Sequence, residues 1–167
     1  ELAEEIFSST HFLHQLPPAY GRILEAAACL LDSGHYVSDT GHHKHSAYLV
    51  THADLPGFTD LERRLISLLC RYHRKAMPAV KHTDFQALDA ESRRILTLLI
   101  PLIRLADGLV QGHEQPVESV RVEQRNGALA VQVKAKGDID LEVWSAERLS
   151  EIFRQVYGLP LQVMKLR

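Results

Sequence analysis

The sequence predicts an α+β protein, an all-helical segment followed by a small β-β-β-α-β unit, and three observations predict it. Apolar residues recur at three- and four-residue spacing as far as about Gln111, the period of helices with one buried face. Beyond Gly112 the period falls to two, and Asn126-Gly127 separates two alternating runs as a hairpin signal. Composition is globular: 167 residues that are 46% hydrophobic and 24% charged hold enough apolar surface for a sizeable core without staples. No apolar run approaches the ~20 residues that span a bilayer, which excludes a helical membrane protein. The formal net charge of -2 gives no general drive toward DNA or an anionic membrane, so any anion site must be local.

Taken in order, Leu2, Ile6, Leu13 and Leu16 suit a helix that breaks near Ser8-Ser9-Thr10 and stops at Pro17-Pro18. Tyr20, Ile23, Leu24, Ala27, Leu30 and Leu31 form the stripe of a second helix, closed by Asp32-Ser33-Gly34. A polar loop carrying histidines leads to a short helix with His45, Tyr48, Leu49 and His52 on one side, ended by Asp54-Leu55-Pro56-Gly57. Thr59 and Glu62 have capping-box spacing ahead of a stripe of Leu61, Leu65, Leu68, Leu69 and Tyr72. Asp89 caps a long helix from Ala90 to about Gln111, in which Pro101 predicts a kink. Val120 and Val122, then Leu129, Val131 and Val133, form the hairpin. Ile139, Leu141 and Val143 read as a third strand, Ser145 as the cap of a helix reaching Tyr157, and Leu161 to Met164 as a last strand. The boundary is expected at 113/114, giving a helical domain over 1–113 and a small α/β domain over 114–167. Cys29 and Cys70, both in apolar runs, read as reduced core residues.

Ten histidines are far above an average share, and they cluster with bases. Between Thr59 and His82, Arg63, Arg64, Arg71, Arg74, Lys75 and Lys81 outweigh Asp60 and Glu62, a locally cationic stretch in an acidic chain. Arginine forks onto phosphate oxygens and lysine adds a mobile point charge, a mixture suited to a flexible polyanion. The anion-binding candidates are His42, His43, Lys44, His45, Arg71, His73, Arg74 and Lys75. Protonation of the histidines should make such a site sensitive to pH near 6 to 7. His45 and His73 can also satisfy one another, or Asp107, in a polar seam, and Tyr48 and Tyr72 read as core. His35 and His82 read as surface. The alternative chemistry is a divalent metal at Asp32, His42, His43, His73 and Asp107 activating water against a nucleotide or phosphate monoester.

The segment AAACLLDSG (Ala26 to Gly34) resembles the His-Asp helix of the HD superfamily of phosphohydrolases, but Leu31 stands where the metal-binding His belongs. A narrower resemblance covers about Glu1 to Leu109. GHHKHSAYL (Gly41 to Leu49), DLPGF (Asp54 to Phe58), RYHRKAMP (Arg71 to Pro78) and RLADGL (Arg104 to Leu109), in that order, are similar to the C-terminal half of the exopolyphosphatase and guanosine pentaphosphate phosphohydrolase family. This resemblance implies an HD-like helical domain and a small terminal α/β domain, part of something longer. It places catalysis, with its Mg²⁺, in N-terminal actin-like domains, and no catalytic residue, metal or cofactor in this chain, which alone should be inactive. The implied partners are inorganic polyphosphate or guanosine pentaphosphate, the actin-like domains and a second copy in a homodimer, in the cytoplasm, with neither DNA nor membrane.

Overall fold

A computed structural model describes residues 1–111 and 115–166; the boundary expected at 113/114 lies outside the described residues. The helical part comprises α1 (Leu2–Ser9), α2 (His11–His14), α3 (Ala19–Leu30), a 3₁₀ turn over Ser33–Tyr36, α4 (His42–His52), α5 (Asp60–Tyr72), α6 (Thr83–Gln86) and α7 (Ala90–Gly108). The strands and helices β1 (Val117–Arg125), β2 (Ala128–Ala135), α8 (Asp140–Glu147), α9 (Ser150–Tyr157) and β3 (Leu161–Leu166) follow.

Local chemistry sets the starts of α5 and α7. The Thr59 hydroxyl accepts from the Glu62 N–H at 3.2 Å and the Glu62 carboxylate accepts from the Thr59 N–H at 2.7 Å, so α5 opens with the reciprocal cap its sequence announced. Asp89 caps α7 through the Ser92 N–H at 2.7 Å, and α7 runs through Pro101 to Gly108, three residues short of the expected end. Leu65, Ile66 and Leu69 of α5 meet Leu96, Leu99, Ile100 and Ile103 of α7 at the centre of the core, all essentially inaccessible. Each such side chain contributes about 1.5–3 kcal/mol of burial.

In the sheet, β1 pairs antiparallel with β2 across Asn126-Gly127, both with positive φ, and β3 joins parallel to β2, giving the order β1-β2-β3. Helix α1 covers the edge of β1: the Val120 N–H donates to the Glu5 carboxylate at 2.7 Å and the Val122 N–H to the Ser9 hydroxyl at 3.1 Å. The Tyr157 hydroxyl of α9 donates to the Leu98 carbonyl of α7, and one apolar cluster includes residues from both the helices and the sheet.

The α+β class stands, with one element corrected. The segment expected as a third strand, Ile139, Leu141 and Val143, is the start of α8. Ile139 and Ala146 are buried while Leu141 is half exposed, so the apolar positions follow a helical rather than an alternating pattern. Asp138 starts the turn by accepting from the Asp140 N–H at 2.9 Å. A parallel β2-β3 pair also needs a long crossover, which α8 and α9 supply. The next helix consequently begins at Ser150 rather than after Ser145. Two burial expectations also change: Cys70 is buried but Cys29 is exposed, and α4 buries His42, Ser46, Ala47 and Val50, leaving Tyr48 and Leu49 on its outer face.

Candidate anion site and its histidine relay

Helix α4 starts where Gly41, at φ +70°, turns the chain. That start lies against the 3₁₀ turn at a very small residue. A methyl group added at Gly34 would sit 2.0 Å from the His42 carbonyl oxygen, so only glycine fits. Two hydrogen bonds fix the approach: the Gly34 N–H donates to the Ser46 hydroxyl at 2.8 Å, and that hydroxyl donates to the Leu31 carbonyl at 2.6 Å. The approach brings the start of α4 to the C-terminal end of α5.

The chain leaving α5 is held from the other side by α7. Arg104 donates through Nε to the Tyr72 carbonyl at 2.8 Å and through Nη2 to the carbonyls of Lys75 and Ala76 at 3.0 and 3.1 Å. It therefore occupies carbonyls at and just beyond the end of a helix, where a cation is favoured. Lys75, at φ +65°, completes the turn and presents its side chain outward.

The result is a cavity of about 380 Å³ lined by His43, Lys44, Arg71, Tyr72, Arg74, Lys75 and His82, among others. Among the described residues Lys44, Arg71, Arg74 and Lys75 form no ion pair with a carboxylate. Four cations that lack acidic partners leave a local excess of positive charge. Arg74 and Lys75 also line a second cavity of about 400 Å³ beside α8, with Arg104, Trp144 and Arg148. The Arg148 guanidinium lies over the Trp144 ring at 4.6 Å. Two shared residues thus join the cavities into one cationic surface.

Behind Arg74 the buried histidines form a relay. Arg74 Nη1 lies 3.3 Å from His42 Nδ1, His42 Nε2 lies 3.2 Å from His73 Nε2, and His73 Nδ1 lies 2.5 Å from the Cys70 carbonyl. Because an arginine can only donate and a carbonyl only accept, the chain runs Arg74 to His42 to His73 to Cys70, each imidazole neutral and holding one proton. Electrostatics agree. Burial, aided by neighbouring cations, holds His43 and His73 down at about 4, and burial also lowers His42. At pH 6 to 7 the positive charge therefore resides on Lys44 and the arginine and lysine of the 71–75 segment. The histidine titration expected in that range is not available to His43 and His73, and burial moves that of His42 downward.

Of the candidate residues, the structure gathers His43, Lys44, Arg71, Arg74 and Lys75 around the first cavity and sets His42 and His73 behind it. His45 turns aside, its Nε2 3.1 Å from the Thr40 carbonyl, so the expected contact of His45 with His73 is replaced by one with His42. Asp32 lies 3.7 Å from His42 Nε2, while Asp107 lines the second cavity and is pushed up to about 6, by burial first and by Asp32 second. Sequence reasoning missed His82, whose Nδ1 meets the Tyr72 hydroxyl at 2.6 Å, and the structural part of Arg104. It also missed Trp144 and Arg148, although their four-residue spacing was a usable signal.

Residues 1–146 match the family model described as Ppx/GppA phosphatase, domain III. Among curated proteins, the chain is 37% identical over 86 residues to the guanosine-5'-triphosphate,3'-diphosphate pyrophosphatase of Photobacterium profundum, covering 51% of this chain and 17% of that protein. It is 28% identical over 148 residues to the protein of the same name from Vibrio vulnificus, covering 87% of this chain and 29% of that protein. The chain thus spans less than a third of the length of either relative. With the family model matched over most of its length, the chain belongs to the Ppx/GppA phosphatase family, in the region described as domain III.

Proposed function

We propose that this region grips the phosphates of inorganic polyphosphate, or of guanosine pentaphosphate, for a hydrolytic centre carried elsewhere in the protein. The observation that supports this reading is the cationic surface formed by Lys44, Arg71, Arg74 and Lys75, without carboxylate partners among the described residues, and extended to Arg148 through the second cavity. The names of the curated relatives specify a phosphate-rich nucleotide, the same ligand chemistry. A surface of two joined cavities favours the linear polymer, since several weak phosphate contacts along one chain raise the effective concentration of each next contact. In this reading the attack on phosphorus, its Mg²⁺ and its catalytic residues belong to actin-like domains preceding this region. Here the chain supplies grip and a surface for homodimerisation, in the cytoplasm.

Titrating the purified chain with polyphosphates of increasing length tests the proposal. Affinity should rise with chain length, fall steeply with added salt, and yield only weakly to guanosine pentaphosphate, with no phosphate released from either ligand. Tight, length-independent binding displaced by the nucleotide would move the ligand to the alarmone. Failure of both to bind would end the proposal.

A further inference from the structure

Three histidines lie in the first turn of α4, and they differ in what holds them. His42 is engaged at both ring nitrogens, Nδ1 3.3 Å from Arg74 Nη1 and Nε2 3.2 Å from His73 Nε2. His45 Nε2 lies 3.1 Å from the Thr40 carbonyl. His43 stands apart: its Nδ1 is buried and meets no donor or acceptor among the described residues. A buried polar atom without a partner is destabilising, and in a native fold it marks a place completed by a ligand or used in chemistry.

His43 lines the first cavity together with Lys44, Arg71, Arg74 and Lys75. Because Nδ1 is sealed, Nε2 is the nitrogen that can meet a ligand there. The surrounding cations favour the tautomer that turns an electron pair toward them and keeps the ring proton on Nδ1. Burial first and Arg74 second keep a further proton off the ring, so that pair stays open at neutral pH. A neutral imidazole is a nucleophile toward phosphorus, and fixed cations beside it stabilise charge on the oxygens of the group being transferred. The arginines of the cavity are hydrogen-bond donors without an electron pair to offer, which sets His43 apart from them in chemistry as well as in contacts.

We propose that His43 Nε2 accepts the terminal phosphoryl group of a bound polyphosphate, so that this chain becomes phosphorylated on histidine. The Nε2–P bond forms as the anhydride P–O bond to the next phosphate breaks, and the polymer, one phosphate shorter, leaves with the electron pair. The ring keeps its proton on Nδ1, balanced by the negative phosphoryl group, so nothing has to be removed from the sealed nitrogen and no free phosphate appears. The inference rests on the polyphosphate reading for its donor and adds a single covalent transfer to the grip. Its consequence is regulatory. A phosphoryl group brings roughly two negative charges among Lys44, Arg71, Arg74 and Lys75 and loosens their hold on the next polymer.

The test incubates the full chain with long polyphosphate and reads its intact mass under alkaline conditions, in which a phosphohistidine survives, with polymer binding measured alongside. The expected result is a gain of one phosphoryl group per chain, lost on acid treatment and mapped by fragmentation to His43. His43→Gln should gain none while still binding the polymer. His52→Ala, at the exposed end of α4, should gain it like the parent. The phosphorylated chain, freed of polymer, should bind fresh polyphosphate roughly tenfold more weakly. Polymer bound without any gain in mass would overturn the inference and leave the grip standing, whereas no bound polymer would end both. An acid-stable label, or one mapped to another residue in the parent chain, would overturn it as well.

Discussion

Replacing Arg71, Arg74 and Lys75 together with glutamine is expected to weaken polyphosphate binding by on the order of a hundredfold and to flatten its salt dependence, with little change in thermal stability. A hydrogen bond to a charged group contributes about 1.5–3 kcal/mol where it is protected from water. Solvent exposure reduces that contribution, so roughly 1 kcal/mol per cation is the conservative figure. Three such losses amount to about 3 kcal/mol, or about two decades in affinity. The salt dependence flattens because fewer counterions are released when fewer charges meet the polymer. Stability should hold because the three side chains have no carboxylate partner among the described residues, so their removal strands no buried acid. Calorimetric titration beside thermal melts checks both halves, and unaltered binding would remove these residues from the account.

Gly34→Ala should produce the largest stability loss of any single methyl addition in the helical part, about 3 kcal/mol or more, because the clash is with backbone rather than a movable side chain. The added carbon would face the His42 carbonyl oxygen at 2.0 Å and the Ser46 nitrogen at 2.5 Å. The start of α4 must then move off the 3₁₀ turn, breaking the Gly34 to Ser46 and Ser46 to Leu31 hydrogen bonds. For a chain of this size the melting temperature should fall by roughly 6–12 °C. Gly137→Ala gives the contrast: its φ of +82° strains an L residue, but nothing lies within 4 Å, so the cost should stay near about 1–2 kcal/mol. Equal melting temperatures for the two variants would show that the approach of α4 to the turn carries no special stability.

The parts legible in the sequence were those written in short-range chemistry. Thr59 and Glu62, Asp89, and Asn126-Gly127 each specify a local hydrogen-bond or dihedral requirement that tertiary contacts did not override. Ile139, Leu141 and Val143 misled because three apolar residues over five positions fit a strand as well as a helix, and only packing reveals that Leu141 faces solvent. The basic members of the site were legible as a charge cluster between α5 and α6. The His42 to His73 contact was not, since it spans 31 positions and depends on Gly34 admitting α4 closely enough. His35 reads as surface and is exposed, but its contacts with Asp32, Asp39 and His42 were not legible, because they too depend on how α4 meets the turn.

Hydrogen exchange read by mass spectrometry, with and without long polyphosphate, tests the central claim most directly. The account predicts slowed exchange confined to three segments, around Gly41 to His45, Arg71 to Ala76 and Trp144 to Arg148, because one polymer lies across both cavities. Protection on the α1 and β1 face instead, or polyphosphate bound with these three segments unchanged, would contradict it.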